Sequence, residues 1–514
     1  MRGASLLQGA ASGFLLYLST LGGPWSFLAW VGLVPALLGR GTSVDGAVRL
    51  LVTAVFFYGL GLRWIWLLAV PGFVVVVLVM SAYAVVFGAM LPRLSRGHPV
   101  LFPLLAAALW TGLDHLRGLL LGGFPWLCLG HGQAEILAIA QIADLFGVAG
   151  VTFLIVLVNA ALAHAAGALS ASPRSSAGAV ALAGGALAVT LGYGAWRLST
   201  LELEPGPRLA AIQAQIDVLG KHGRMSQDEI VLVHDRLSRQ AARENPRPDL
   251  IVWSETMYPA VTGEDRVLEP LRRLARQYAI PMLVGAEAYL PGPGGEGFIR
   301  RNRALFVPLE GPIATYDKVH LVPFGEYVPL RSVLPFRETI ESFLREKMGG
   351  VPDITSGTDT PLFDLETAGG RYRFGALICY DSVFARLLLC FDLSQTDFFV
   401  SLSNDGWYEG TEEPWQMHSM TVFRAIETRR SVFRATNLGI SAAISPLGRA
   451  VILPALDLRI DRPPSLESQA AMVPLCRTRS FYAIIGDAFA WLCLFLGALA
   501  AVFRGRISWA LFLL

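Results

Sequence analysis

Residues 374–384, FGALICYDSVF, hold the decision about this chain. A run of strand-forming apolar residues breaks at Cys379, with Tyr380 and Asp381 directly behind it. A cysteine inside an apolar strand is ordinarily a small inert hydrophobe, and the stretch by itself reads that way. The surrounding sequence has to supply any chemistry.

Working outward, the composition is that of a membrane protein. The 514 residues are 54% hydrophobic and 16% charged, with a mean hydropathy of +0.50, too apolar for an ordinary soluble chain. A net charge of +2 suggests no nucleic-acid surface. Five cysteines, odd in number and scattered, make no disulfide framework. Without CxxC or zinc-like His/Cys spacing, no metal site is expected. Taking on the order of 20 apolar residues per crossing, spans are expected near 5–21, 24–39, 48–67, 70–92, 100–120, 145–168, 177–196 and 482–503. The first is read as a retained helix rather than a cleaved signal. Three regions follow: a transmembrane domain over 1–196, a mixed polar domain over 197–480, and a last helix with a short tail over 481–514.

Basic residues in the short connections set the expected orientation. If the spans alternate, Arg2, Arg40 with Arg49, Arg93 with Arg96, Arg174, and Arg504 with Arg506 share one side, the cytoplasm. Residues 197–480 then lie outside. Arg63 and Arg117 fall toward the outer ends of spans, where a charge snorkels to the interface or has a partner. Arg117 belongs to DHLRGLLLGGFPWLCLG (114–130), and a lipid phosphate is one candidate partner.

Within the polar domain, strand-like runs such as 208–216, 249–255, 281–290, 303–309, 374–380, 397–404 and 439–446 alternate with helical stretches at 226–243 and 414–431. Several runs are almost continuously apolar, as in a sheet covered on both faces. Residues 338–361 read as a long loop. Glu255 ends an apolar strand in DLIVWSETMYP, Lys318 follows one in ATYDKVHLVPFGEYVP, and Glu326 lies in the Gly-containing turn beyond it. Cys379 ends a third strand, and chemistry in open α/β sheets gathers beyond strand ends. A thiol needs a base or a cation to attack. A carboxylate can take its proton, and a lysine with the backbone N–H after the cysteine can hold an oxyanion. Taken singly, Glu255 reads as a helix N-terminal acid, Lys318 as a surface charge and Cys379 as a core thiol, and their joint placement at three strand ends reverses that. Asn404–Asp405–Gly406 is also a plain turn signal, and His418 reads as structural.

These segments resemble the Glu–Lys–Cys triad of the nitrilase, or carbon–nitrogen hydrolase, superfamily. KVHLVPFGEYVP (318–329), SNDGWY (403–408), residues 414–449 and LRGLLLGGFPWL (116–127) resemble its membrane-embedded branch, the apolipoprotein N-acyltransferase family. The resemblance spans nearly the whole chain. It implies an α-helical transmembrane bundle of about eight helices plus an extracytoplasmic α/β domain with an α/β/β/α sandwich. It implies Glu255 as base, Lys318 as oxyanion-stabilising cation and Cys379 as nucleophile. Glu326, Tyr380, Asp381, Trp407 and Arg117 become supporting or substrate-binding residues. The chain departs from the family at Asp381, where glutamate is common, and at His222, where tryptophan is frequent.

The implied reaction moves an acyl chain from a membrane phospholipid, through a cysteine thioester, to the α-amino group of the N-terminal diacylglyceryl-cysteine of an apolipoprotein. No metal or diffusible cofactor is needed. The implied location is a bacterial inner membrane, with the catalytic domain on the periplasmic side. A membrane-tethered amidase acting on a small amide, and a non-catalytic lipid-binding protein of the same fold, stand as alternatives.

Overall fold

The computed structural model describes residues 2–39, 41–95, 100–168, 173–216, 225–262, 265–292, 294, 297–329, 331–332, 337–348, 351–453 and 469–503. Arg40, Arg96, His222, Arg504 and Arg506, used in the sequence reading, lie outside the described residues, as do residues 349–350 of the expected loop. The chain forms two compact units, one from 1–201 with 480–514, the other from 202–479.

In the first unit, the helices Ser43–Gly61, Val70–Leu94, Ala143–Gly167 and Ser176–Thr200 are long and apolar enough to cross a membrane. Shorter apolar helices cover Leu101–Arg117 and Ala488–Phe503. Gly46 and Gly88 let two of the long helices touch, since a Cβ on Gly46 would stand 2.2 Å from the Gly88 carbonyl oxygen. Small residues serve this purpose in membranes, where backbone approach replaces a hydrophobic driving force.

The expected span 24–39 takes a different form. It is a 3-10 helix over Gly23–Trp30 followed by the short α-helix Val34–Leu38. Gly22 and Gly23 have φ of 75° and 55°, and prolines open both pieces. Irregular backbone at membrane depth persists only where protein satisfies it, and here side chains do so. Asn159 accepts from Leu33 N at 2.8 Å and donates to Ala29 O at 2.8 Å, while Ser12 accepts from Ala36 N at 2.9 Å. Arg49 donates to Ala36 O and Gly39 O at 3.1 and 2.6 Å. Arg49 is thus buried in a helix that begins at Ser43, rather than lying in the short connection expected there. That helix ends at Gly61, and exposed Arg63 opens the separate turn Arg63–Leu68.

The second unit contains β1 (Arg208–Ile212), β2 (Leu250–Val261), β3 (Met282–Pro291), β4 (Phe298–Val307), β5 (Ala314–Asp317) and β6 (Leu362–Thr367). It continues with β7 (Gly370–Ile378), β8 (Phe398–Ser403), β9 (Ser431–Thr436), β10 (Ala442–Ile444), β11 (Ala450–Ile452) and β12 (Gln469–Met472). The sheets run β12-β1-β2-β3-β4-β5 and β11-β10-β9-β8-β7-β6. β1–β3 and β7–β9 are parallel, and the outer strands pair antiparallel. Parallel strands covered on both faces explain the unbroken apolar runs. Phe306 of the first sheet packs on Phe363 and Phe374 of the second, with ring centroids 5.4 and 5.5 Å apart. The outer face of the first sheet buries Ile251, Trp253 and Met282 with Ile230, Leu237 and Leu271 of the helices Gln227–Ala241 and Asp265–Tyr278. Helix Glu413–Thr428 packs on β9 of the second. The architecture is an α/β/β/α sandwich, as expected.

Two segments depart from the sequence reading. The supposed loop at 338–361 begins with the helix Arg337–Met348. Its Glu341 is held by Arg331 at 2.8 Å and by Arg337 and Arg345, each one turn away, at 2.9 and 3.3 Å. The helix expected over 414–431 stops at Thr428, where Arg429 turns left-handed at φ 52°, and the chain re-enters the sheet as β9.

Candidate active site

Glu255, Lys318, Glu326 and Cys379 come from four places along the second unit. Glu255 is not at the end of β2, which runs on to Val261. It sits where the ladder to β3 breaks, in register at Trp253 and resuming at Tyr258, with Thr256 at φ 54°. This bulge turns the carboxylate out of the sheet. Gly285 on β3 makes room for it, since a Cβ there would lie 2.4 Å from Ser254 O and 2.7 Å from Glu255 Cα.

Lys318 follows β5 and is 1% exposed. Its Nζ donates to Glu326 Oε1 at 2.8 Å and Glu255 Oε1 at 3.3 Å. Asn302 on β4 donates Nδ2 to the same two oxygens, at 3.3 and 2.7 Å. Val322 N donates to Glu326 Oε2 at 2.9 Å. Glu255 Oε2 carries no hydrogen bond among the described residues. Burial alone would depress the lysine. The carboxylates of Glu255 and Glu326, then Cys379 and Asp381, instead hold its pKa well above the ordinary value, so it is an ammonium ion at neutral pH.

Cys379 closes β7 and opens the 3-10 turn Cys379–Val383. Its φ of 49° is a strained conformation for a residue with a side chain, a kind of outlier that clusters at functional sites. The thiol is part-buried. Burial raises its pKa well above the usual value, and Glu255 adds to this. Lys318 opposes, while Asp405 and Glu326 add smaller upward pushes. At rest the side chain is therefore a thiol, and an attack by it would need a base.

Asp381, fully buried, ties the two halves of the site together. It accepts from Tyr316 OH at 2.8 Å and His320 N at 2.7 Å, two residues either side of Lys318. It also accepts from Ile378 N at 3.1 Å, next to Cys379. Burial raises its pKa to about 6, against the pull of Lys318 and these donors. Tyr380 is buried, edge-on to Phe384 at 4.9 Å. Trp407, 46% exposed, stands on the 3-10 turn Asp405–Tyr408 after β8. His320 stacks on Phe384, its ring pKa lowered to about 4 by burial and then by Arg386.

Arg117 belongs to the membrane unit and is 2% exposed. Its guanidinium pairs with Asp114 and donates to Phe124 O and Trp126 O at 3.1 and 2.7 Å. It neither snorkels nor stands open toward a lipid phosphate. Sequence reasoning missed Asn302, whose only mark was a neutral amide inside the basic run RRNRALFV (300–307). It also missed Tyr316, legible only as a strand residue before Lys318, and Arg434, which falls beyond the helix expected over 414–431.

Facing sheets with an acid, a lysine and a thiol gathered at their strand junctions define a carbon–nitrogen hydrolase domain. Residues 208–456 match the Carbon-nitrogen hydrolase family, and residues 12–161 match the Apolipoprotein N-acyltransferase N-terminal domain. The chain is 34% identical over 523 residues to the apolipoprotein N-acyltransferase of Geobacter metallireducens, covering 97% of this chain and 95% of that one. It is 26% identical to that of Haemophilus ducreyi, covering 83% of each. Among solved structures it is similar to Saccharomyces cerevisiae Nit3, a member of the nitrilase superfamily, at 16% identity and a TM-score of 0.39, covering 56% of this chain and 95% of that one. The chain belongs to the apolipoprotein N-acyltransferase family and is a membrane protein.

Proposed function

We propose that this chain transfers an acyl group from a membrane phospholipid to the α-amino group of the N-terminal diacylglyceryl-cysteine of an apolipoprotein, with Cys379 as nucleophile. The carrying observation is the buried Lys318 ammonium, 3.3 Å from Glu255 and 2.8 Å from Glu326, with Glu255 and Lys318 both acting on the Cys379 thiol.

In the first step Cys379 Sγ attacks the ester carbonyl carbon and its proton passes to Glu255. Negative charge gathers on the carbonyl oxygen, where Lys318 and the Tyr380 backbone N–H stabilise it. Collapse breaks the ester C–O bond, and Glu255 returns the proton to the leaving oxygen, releasing lysophospholipid. In the second step the acceptor amine attacks the thioester carbon and gives a proton to Glu255. C–S cleavage leaves an amide, and the thiol recovers its proton. Glu326 holds Lys318 in place, and Asp381 fixes the Lys318 and Cys379 segments relative to one another. Tyr380 packs behind the nucleophile, and Trp407 contributes an apolar rim for acyl chains.

A membrane unit suits these substrates, since drawing an acyl chain into water costs about 0.8 kcal/mol per CH₂. We place the catalytic domain, residues 197–480, on the periplasmic side of the inner membrane between the membrane segments 1–196 and 481–514. The charge bias of the short connections, including Arg93 and Arg174, supports that orientation. The test is the intact mass of the detergent-solubilised chain after incubation with phospholipid. One added acyl chain, labile to hydroxylamine and absent in Cys379→Ala, is expected, and a diacylglyceryl-cysteine peptide then removes it onto its amine. Discharge to water alone would make the protein a lipid hydrolase. Absence of any adduct would overturn the reading in favour of a soluble amide substrate.

A further inference from the structure

Beneath the turn after β8 lies a second group of buried charges that the acyl-transfer chemistry does not use. Arg434 on β9 is 0% exposed, and Asp405 and Glu413 are each 1% exposed. Arg434 Nη2 donates to Asp405 Oδ2 at 2.6 Å, Nε to Ile440 O at 3.1 Å and Nη1 to Thr421 Oγ1 at 3.5 Å. Ser403 Oγ donates to Asp405 Oδ1 at 2.5 Å, and Asp405 N to Leu438 O at 2.9 Å. Gly439 closes over the carboxylate, where a Cβ would stand 2.2 Å from Oδ2. Buried ion pairs are a poor way to gain stability, because well-packed apolar side chains commonly do better. This one therefore calls for another reason.

Its position supplies one. β7 and β8 are parallel neighbours with Ile378 opposite Leu402, so Cys379 and the Asp405 turn leave adjacent strands at the same end of the sheet. Asp405 is among the charges that act on the thiol. Arg434 reaches this carboxylate from β9, the next strand over, where it lies opposite Ser401. On the far side the pair meets Glu413 and His418 of helix Glu413–Thr428. Burial, then Asp405, raises the Glu413 pKa well above the ordinary carboxylate value, and burial, then Arg434, lowers that of His418 to about 3. Arg434 is thus the cation that offsets Asp405. Other groups that act on the thiol, among the described residues, are Glu255, Lys318, Glu326, Tyr380 and Tyr408.

We propose that Arg434 is a positioning residue for the nucleophile: it clamps and neutralises Asp405 one strand away, which leaves Glu255 and Lys318 to govern the attack of Cys379. The proposal rests on Cys379 as nucleophile, but alkylation reads the thiol whether or not it turns over lipid, so the two ideas fail separately.

The test is the rate of Cys379 carbamidomethylation by iodoacetamide against pH, followed by peptide mass on the full chain in detergent. Arg434→Gln exposes the thiol to an uncompensated carboxylate. Its profile moves up by about one pH unit, with alkylation about tenfold slower at pH 8. Asp405→Asn, nearly isosteric, moves the profile the other way and carries the test if Arg434→Gln does not fold. The double variant and the charge-conserving Arg434→Lys return close to the wild-type profile. A purely structural pair lowers the amount of folded protein without moving the pH at which the thiol reacts. Superimposed profiles, or single variants that shift in the same direction, would overturn the proposal.

Discussion

Replacing Lys318 with methionine tests the core of the site. The side chain is 1% exposed, and its two partners, Glu255 and Glu326, are only 9% and 14% exposed. Methionine fills a similar volume but leaves two carboxylates sharing one small space, with Asn302 as their remaining common donor. Removing one partner of a buried ion pair costs about 3–5 kcal/mol. At about 2–4 °C per kcal/mol for a domain of this order of size, Lys318→Met lowers the melting temperature by roughly 10 °C. Under the proposed mechanism, acyl-enzyme formation also loses an oxyanion donor, worth about 10²–10³ in rate. The diagnostic is the double variant with Glu326→Gln. Removing one of the opposed carboxylates relieves the repulsion, so the double is more stable than the sum of the singles by about 2 kcal/mol. Thermal unfolding of the full chain in detergent at neutral pH, alongside single-turnover acylation, reads both effects. Additive melting shifts, or a Lys318→Met protein that acylates at the wild-type rate, would refute the account of Lys318 as the charge that reconciles Glu255 with Glu326.

Two further outcomes follow from the same geometry. Asp381 has a folded pKa of about 6 against an ordinary 3.8, so the folded chain binds that proton more tightly than the unfolded chain does. Its contribution to stability therefore falls as pH rises from about 4 to 6, by about 3 kcal/mol. Subtracting the melting curves of Asp381→Asn from wild type across that range should reveal the slope, and a flat difference would contradict it. Gly285→Ala drives a Cβ into the Ser254–Glu255 backbone. It should lower acylation by more than tenfold by displacing the base from near-attack geometry, and an unchanged rate would show that the β2 bulge does not position Glu255.

Most of the apolar helices, the apolar strands and the candidate site residues Glu255, Lys318 and Cys379 were legible in sequence. Each of these signals is local: a long apolar run, a buried strand, a reactive type at or near its end, although β2 runs on past Glu255 to Val261. Residues whose role depends on partners far along the chain were not legible. Asn302 looks like one polar residue among arginines until β4 lies beside Lys318 and Glu255. Arg434 falls beyond the helix expected over 414–431, and only the left-handed turn at Arg429 reveals the strand β9 that carries it. The span at 24–39 satisfied a hydropathy ruler, which averages composition and does not register that Asn159, Ser12 and Arg49 hold its broken backbone. Sequence by itself determined which residues are apolar, which are reactive and how they alternate. Only the tertiary structure decided which carboxylate faces which cation, because burial and proximity, rather than residue type, set the charge state of Lys318, Cys379 and Asp381.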